Sequence, residues 1–188
     1  RNEMLELDGL GFLKQPHTSS GRIPTEAAYR YFYSSHFKPA ALGEEIKNRL
    51  DSVISRNAEN KRDTFKELAK SLSEASKEFI LAAFSDNDFY YTGLTHLFSH
   101  PEFRGQTIVC NVSIVIDHLD SRLSRLFRIS PEPINILIGK DNPIDTQMTL
   151  MTVKLPNGPL LGILGPMRMK YRTNFALLEY ARQGLMKG

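Results

Sequence analysis

The chain has 188 residues, 41% of them apolar, with 24 Lys and Arg against 21 Asp and Glu, a formal charge of +3 and a pI near 9.0. That apolar content excludes a disordered chain and suits one medium domain plus a small one, whereas so slight a basic excess neither demands nor excludes a nucleic-acid partner, because binding depends on where the charge lies. A single cysteine, Cys110, excludes an internal disulfide, no apolar run approaches the roughly 18 to 20 residues of a membrane span, and no signal peptide is visible, so a soluble cytoplasmic protein is expected.

In chain order, Met4, Leu5 and Leu7 stand at near-helical spacing and end at Gly9, which suits the left-handed residue that closes a helix. Two segments that can pair as strands follow, Phe12 to Gln15 and Gly21 to Ile23, separated by the turn-formers Pro16-His17-Thr18-Ser19-Ser20. Pro24 and Thr25-Glu26-Ala27-Ala28 then signal a new helix with Thr25 as its N-cap. Helix, hairpin, helix is the order of a winged helix, in which the first of these helices enters a major groove and the hairpin tip reaches backbone or an adjacent minor groove. Candidate DNA contacts on the hairpin are Lys14, His17, Thr18, Ser19, Ser20, Gly21 and Arg22. Small hydroxyl residues allow close approach to phosphate, Gly21 permits a positive φ at the tip, and Arg22 brings a fixed charge. The plain alternative is a solvated hairpin that Arg22 merely keeps soluble. From Arg1 to Lys38 there are five basic and four acidic side chains, so any phosphate contact rests on a few placed residues rather than a basic patch.

The aromatic run Tyr29, Tyr31, Phe32, Tyr33 and Phe37 reads as core sealing this small unit, and Pro39 marks its boundary. From Ala41 to Phe84 the pattern is helical. Ile46, Leu50 and Val53 form one stripe, and Phe65, Leu68, Leu72, Ala75, Phe79 and Ala82 form another, which needs cover from the C-terminal domain or from a second chain; a dimer contact over part of it is the preferred reading. Asp86 to Gly188 reads as mixed. Expected are a strand at Phe89 to Gly93, a helical turn from Leu94 to Ser99, and a long helix from Thr107 to Phe127 that buries Cys110. Beyond these come a central strand at Ile134 to Ile138, strands Gln147 to Leu155 and Leu160 to Leu164 joined by Pro156-Asn157-Gly158-Pro159, and a last helix from Tyr171 to Met186.

Polar clusters at Gly139-Lys140-Asp141-Asn142, at Gly165-Pro166-Met167-Arg168 and at Asp117-His118-Asp120 invite a catalytic story. They lack a phosphate-binding loop, a GxSxG nucleophile turn and any Cys/His ligand spacing. Neither an enzyme, a metal nor a cofactor is expected. Arg168 instead suits holding the last helix to the sheet through a carboxylate or carbonyl.

Four ordered motifs carry a resemblance. Arg1-Asn2-Glu3-Met4 with Leu7, Gly9, Leu10 and QPHTSSGRIPTEAAYRYF resembles the end of the DNA-binding domain of the heat-inducible transcription repressor HrcA family. Gly162-Ile163-Leu164-Gly165-Pro166-Met167-Arg168-Met169-Lys170-Tyr171 resembles its closing motif. Tyr91-Thr92-Gly93-Leu94 with Pro101-Glu102-Phe103, and Ile138-Gly139-Lys140-Asp141-Asn142, resemble further landmarks in the right order. The resemblance implies an α+β protein made of the remainder of a winged helix-turn-helix domain (1–38), a helical linker and dimerisation region (39–85) and a reduced GAF-like domain (86–188). It further implies that the chain starts inside the recognition helix, so that Arg1 and Asn2 join the hairpin as DNA contacts, and that most of the family's dimerisation insert is missing. The function implied is repression of chaperone genes by a homodimer on an inverted-repeat operator of double-stranded DNA, relieved by heat, with a chaperonin as a further partner. A protein-interaction or ligand-sensing module without DNA binding is the alternative.

Overall fold

The computed structural model describes residues 2–18, 20–56, 61–85, 87–103, 117–128, 133–155 and 158–187. It consists of two compact units, Arg1–Lys38 and Pro39–Gly188. The first contains helix α1 (Asn2–Gly9), strands β1 (Leu13–Lys14) and β2 (Ile23–Pro24), and helix α2 (Glu26–His36). The strands pair antiparallel, Leu13 opposite Pro24 and Lys14 opposite Ile23.

The second unit is an α+β domain. Helices α3 (Glu44–Arg56) and α4 (Lys61–Ser76) lead into strands β3 (Phe79–Ala83) and β4 (Phe89–Thr92), helix α5 (Leu94–Ser99) and a 3-10 turn (Pro101–Phe103). Helix α6 (Leu119–Arg128), β5 (Ile134–Ile138), a second 3-10 turn (Gly139–Asp141), β6 (Met148–Lys154), β7 (Leu160–Pro166) and helix α7 (Tyr171–Lys187) complete it. The five strands form one antiparallel sheet in the order β4-β3-β7-β6-β5.

Side chains alternate across that sheet with the period of two that a pleated strand imposes. One face presents Phe79, Leu81, Ala83, Met148, Leu150, Leu160 and Leu164, which cluster with Leu97 of α5, Phe103 and the α6 residues Leu119, Leu123 and Leu126. The alternate positions Ile80, Ala82, Met151, Leu161 and Ile163 are equally buried on the other face, where α4 and α7 lie against the sheet. A hydrogen bond between Thr149 and the Tyr171 hydroxyl (2.9 Å) joins β6 to α7 on that side. Because both faces are covered, β3 and β7 read as apolar runs broken only by glycine rather than as alternating ones, while β6 buries Thr149 and Thr152 among its apolar residues.

Three expectations about elements are corrected. Phe79 to Ala83 is a strand, not the end of a helix. Helix α4 stops at Ser76, Lys77 turns the chain with φ +61°, and the five residues after Glu78 are buried at every position. The apolar stripe of α4 is covered within the chain, by the sheet and α7, so Phe65, Leu68 and Leu72 reach 0–3% exposure without a second subunit. Ile134 to Ile138 lies at a sheet edge, pairing among the described residues with β6 alone, which leaves four of its five side chains half-buried. The expected helix from Thr107 is described only from Asp117, where α6 buries its leucines; Cys110 and the turn residues Pro156 and Asn157 lie outside the described residues. Among the described residues no helix is long and apolar enough to cross a membrane.

Gly93 caps α5 with φ +89°, and a Cβ there would lie 2.4 Å from both the Glu78 carbonyl oxygen and Ser73 Oγ. Gly43 has nothing within 4 Å of its Cβ position. Gly93→Ala is therefore expected to cost at least about 2 kcal/mol, from left-handed strain plus the clash, and to lower the melting temperature by roughly 4 to 8 °C. Gly43→Ala is expected to leave it within about 2 °C, and thermal unfolding of both variants checks the pair.

Candidate nucleic-acid interface

Helix α1 ends in a tight closure: Leu10 N–H donates to Glu6 O (2.9 Å), Gly11 N–H to Asp8 O (3.0 Å) and Phe12 N–H to Leu7 O (2.9 Å). Gly11 takes φ +73°, so the left-handed residue falls there and not at Gly9, which remains helical. The closure turns the chain straight into β1. Thr25 then ties the hairpin's far end to that turn, its hydroxyl donating to Gly11 O (2.7 Å) and accepting from Ala28 N (3.3 Å) as the N-cap of α2.

The hairpin tip is wired to itself. Ser20 N–H donates to His17 O (2.9 Å), Ser20 Oγ donates to His17 O (2.8 Å) and accepts from His17 N–H (2.9 Å), and Gln15 Nε2 donates to Thr18 O and Ser20 O (2.9 Å each). Ser20 thus spends its hydroxyl on holding the tip, and Gly21 is not in the left-handed region that its place near the tip suggested. The sharp reversal comes from the His17–Ser20 turn, which non-glycine residues can form.

Lys14, His17, Thr18, Gly21 and Arg22 are all exposed. Arg22 Nε donates to Asp8 Oδ2 (2.8 Å), with about a third of each side chain accessible. The pair joins the hairpin to α1 and neutralises part of the charge that Arg22 offers to a phosphate. Asp8 is the residue that sequence reasoning missed, because the two charges stand 14 positions apart and no local pattern links them. Asn2 sits in the first turn of α1, about 10 Å along the helix axis from Gly9. Arg1 and Ser19, both expected contacts, lie outside the described residues.

The helical spacing of Met4, Leu5 and Leu7 does not mark a buried face. Met4, Leu5 and Leu7 are 42%, 57% and 38% exposed, and no described residue of the unit is buried. The aromatic run gives ring pairs, Phe12 with Tyr31 (5.1 Å between centroids) and Tyr33 with Phe37 (4.9 Å), while Tyr31 and Phe32 stay about half exposed. Thirty-eight residues enclose too little volume to bury side chains of this size. Among the described residues no cluster of three or more His, Cys, Asp or Glu is placed to hold a metal ion.

A helix locked to a short hairpin by a closure, an N-cap and an ion pair, ahead of a five-stranded antiparallel α+β domain, defines the class: a small helix–hairpin unit followed by a larger domain covered on both faces of its sheet. The family model described as "HrcA protein C terminal domain" matches residues 31–174, and the chain belongs to that family. Relatives named "Heat-inducible transcription repressor HrcA" include those of Bifidobacterium animalis subsp. lactis (40% identical over 44% of this chain and 22% of the relative) and Shouchella clausii (28% over 95% and 47%). A third, from Halalkalibacterium halodurans, is 20% identical over all of this chain and 85% of its own length, in an alignment of 293 residues against 188 here. The chain thus matches between about a fifth and six-sevenths of the length of these relatives. A solved structure described as that of a hypothetical protein matches the whole chain and 85% of its own with a TM-score of 0.72 at 15% identity, a likeness of fold.

Removing the Thr25 hydroxyl takes away both the α2 cap and the bond to Gly11. Thr25→Ala is expected to cost about 1 kcal/mol of local stability and to speed amide exchange at Ala28 severalfold, with exchange in β3, β6 and β7 unchanged; hydrogen exchange read residue by residue by NMR tests this.

Proposed function

We propose that the chain acts as a sequence-specific, DNA-binding transcriptional repressor of heat-shock genes, through a winged unit at 1–38. The observation that carries the reading is the rigid coupling of α1 to an exposed hairpin within a chain of this family. In this reading α1 lies in a major groove and the hairpin bearing Lys14, His17, Thr18, Ser20 and Arg22 meets the sugar-phosphate backbone. Arg1, Asn2 and Ser19 complete the contact set. Because a winged unit reads one half-site, the repressor is a cytoplasmic homodimer on an inverted repeat. The larger unit is read as a reduced GAF-like domain whose opening on heating releases the DNA, with a chaperonin restoring the folded form. A loss of about 1 to 2 kcal/mol changes the folded fraction roughly 5 to 30 fold, enough for such a switch. No catalytic step is part of this reading.

One observation favours a second reading. Met4, Leu5, Leu7, Leu10, Tyr31 and Phe32 expose apolar surface on the same small unit, as a protein-docking module would.

A gel-shift titration over salt, with a duplex carrying an inverted repeat from upstream of the chaperone genes and a scrambled control, separates the two. Lys14→Ala and Arg22→Ala are each expected to weaken binding and reduce the slope of log K against log salt by about 1. Asp8→Asn, which leaves the Arg22 charge uncompensated, is expected to strengthen binding. Unchanged affinity in all three variants would sink the DNA reading. Salt-insensitive capture of a protein, lost on Phe32→Ser, is the signature of the second.

A further inference from the structure

Three of the sequence motifs have no part in the hairpin: Thr92-Gly93-Leu94, Pro101-Glu102-Phe103 and Gly165-Pro166-Met167-Arg168. In the larger unit two of them, through Gly93 and Gly165, pack on one residue that no motif contains, Glu78, which stands between α4 and β3 and is 2% exposed, and the third follows directly after its partner His100. The Glu78 N–H donates to Ser76 Oγ (3.2 Å) and its carbonyl accepts from Ser73 Oγ (2.8 Å). Gly93 packs flush on that carbonyl, and Gly165 packs on the carboxyl group, each so closely that a Cβ would lie 2.4 Å away. The carboxyl group meets His100 Nε2 at 2.8 Å, just ahead of the 3-10 turn. Beside this pair, Glu102 of that turn holds Arg168 in a two-pronged ion pair.

We propose that Glu78 and His100 form a one-proton latch, the proton residing on the Glu78 carboxyl group and donated to a neutral His100, which ties the α4–β3 joint to the segment after α5 and loosens when that proton is lost. At 2.8 Å a hydrogen lies between Glu78 Oε2 and His100 Nε2, and of the two groups the carboxyl, 3% exposed against 23% for the ring, has the greater need to be neutral. A neutral ring then accepts at Nε2 from the protonated carboxyl group. Burial pushes His100 below its usual value, and the charges of Arg168 and His96 beside the ring act in the same sense, with the Lys77 backbone opposing. Burial pushes Glu78 up to about 8, with Lys170 opposing. Gly165 packs against the carboxyl group of Glu78, whose side chain is 3% exposed, so an ionised Glu78 would carry its charge in a joint nearly closed to water.

The proton count sets the pH window. Between the ordinary values of Glu and His the unfolded chain carries one proton, on histidine, and the folded latch also carries one, so stability does not change. Above the usual histidine value of 6.5 the unfolded chain has lost its proton while the folded latch keeps its own until about 8. Stability therefore falls as pH rises from 6.5 to 8 and levels above it, by about thirty-fold in the ratio of folded to unfolded chain. The midpoint of thermal opening becomes a function of pH in the physiological range. This device belongs to the larger unit and stands whether or not the chain binds DNA.

The test is thermal unfolding of the whole chain from pH 6 to 9, wild type beside Glu78→Gln, which keeps a donor for His100 Nε2 and cannot ionise. The wild-type melting temperature is expected to drop between pH 6.5 and 8 and the variant's to stay level over that interval. Nitrogen NMR of His100 at pH 7 supplies a second reading on the wild type should the variant not fold: the latch requires a neutral ring with its proton on Nδ1. Parallel pH profiles in the two proteins, or an imidazolium signal from His100 at pH 7, would overturn the proposal.

Discussion

The larger unit depends on one constraint, a sheet whose three inner strands are buried on both faces. Phe79 to Ala83, Met148 to Val153 and Leu160 to Leu164 are buried at every position, so neither face can be left to water. Helices α4 and α7 close one side; α5, the 3-10 turn at Pro101–Phe103 and α6 close the other. At roughly 25 cal/mol per Å² of apolar surface, covering both faces outweighs any preference that a short segment has for another conformation. That is why a run such as Phe79-Ile80-Leu81-Ala82-Ala83, whose two alanines favour helix, becomes a strand.

The small unit follows the opposite rule. With no described residue buried, its shape rests on directional bonds: the Gly11 closure, the Thr25 cap, the Ser20 and Gln15 bonds of the tip and the Arg22–Asp8 pair. Each of these is worth on the order of 1 kcal/mol or less. They give precision of local geometry rather than stability, which suits a surface meant to meet a partner. Arg22, one of the two cations of the hairpin, already has a carboxylate beside it. Under the proposed DNA-binding function, affinity for the phosphate backbone would depend on how readily that pair is exchanged, and selectivity on α1.

Glu78 shows how motif residues scattered over the chain acquire a common purpose. Gly93 and Gly165 are small because a carbonyl and a carboxyl group occupy the space a methyl would need, and Arg168 pairs with Glu102 of the 3-10 turn rather than holding the last helix to the sheet. Among the described residues no guanidinium or ammonium contacts the buried Glu78 carboxyl group, and a buried carboxylate without such a partner is destabilising at high pH. The proposed latch would make this joint between α4 and β3 sensitive to pH.

Much was legible from local pattern. Helix α2 with its Thr25 cap, the short strand at Phe89 to Thr92, α5, the β6 and β7 pair and the full length of α7 all follow from capping residues, turn formers and periodicity, which act over a few positions. The motifs at the two ends were enough to point to the family that residues 31–174 match. Only the tertiary structure decided the rest. It turned the stripe after Glu78 into a strand, covered α4 within its own chain, placed Ile134 to Ile138 at an edge, left Met4, Leu5 and Leu7 exposed, and paired Arg22 with Asp8 and Glu78 with His100. Burial and ion pairing join residues far apart in the chain, and their partners are set by how the sheet is covered, a quantity that no window of neighbouring residues contains.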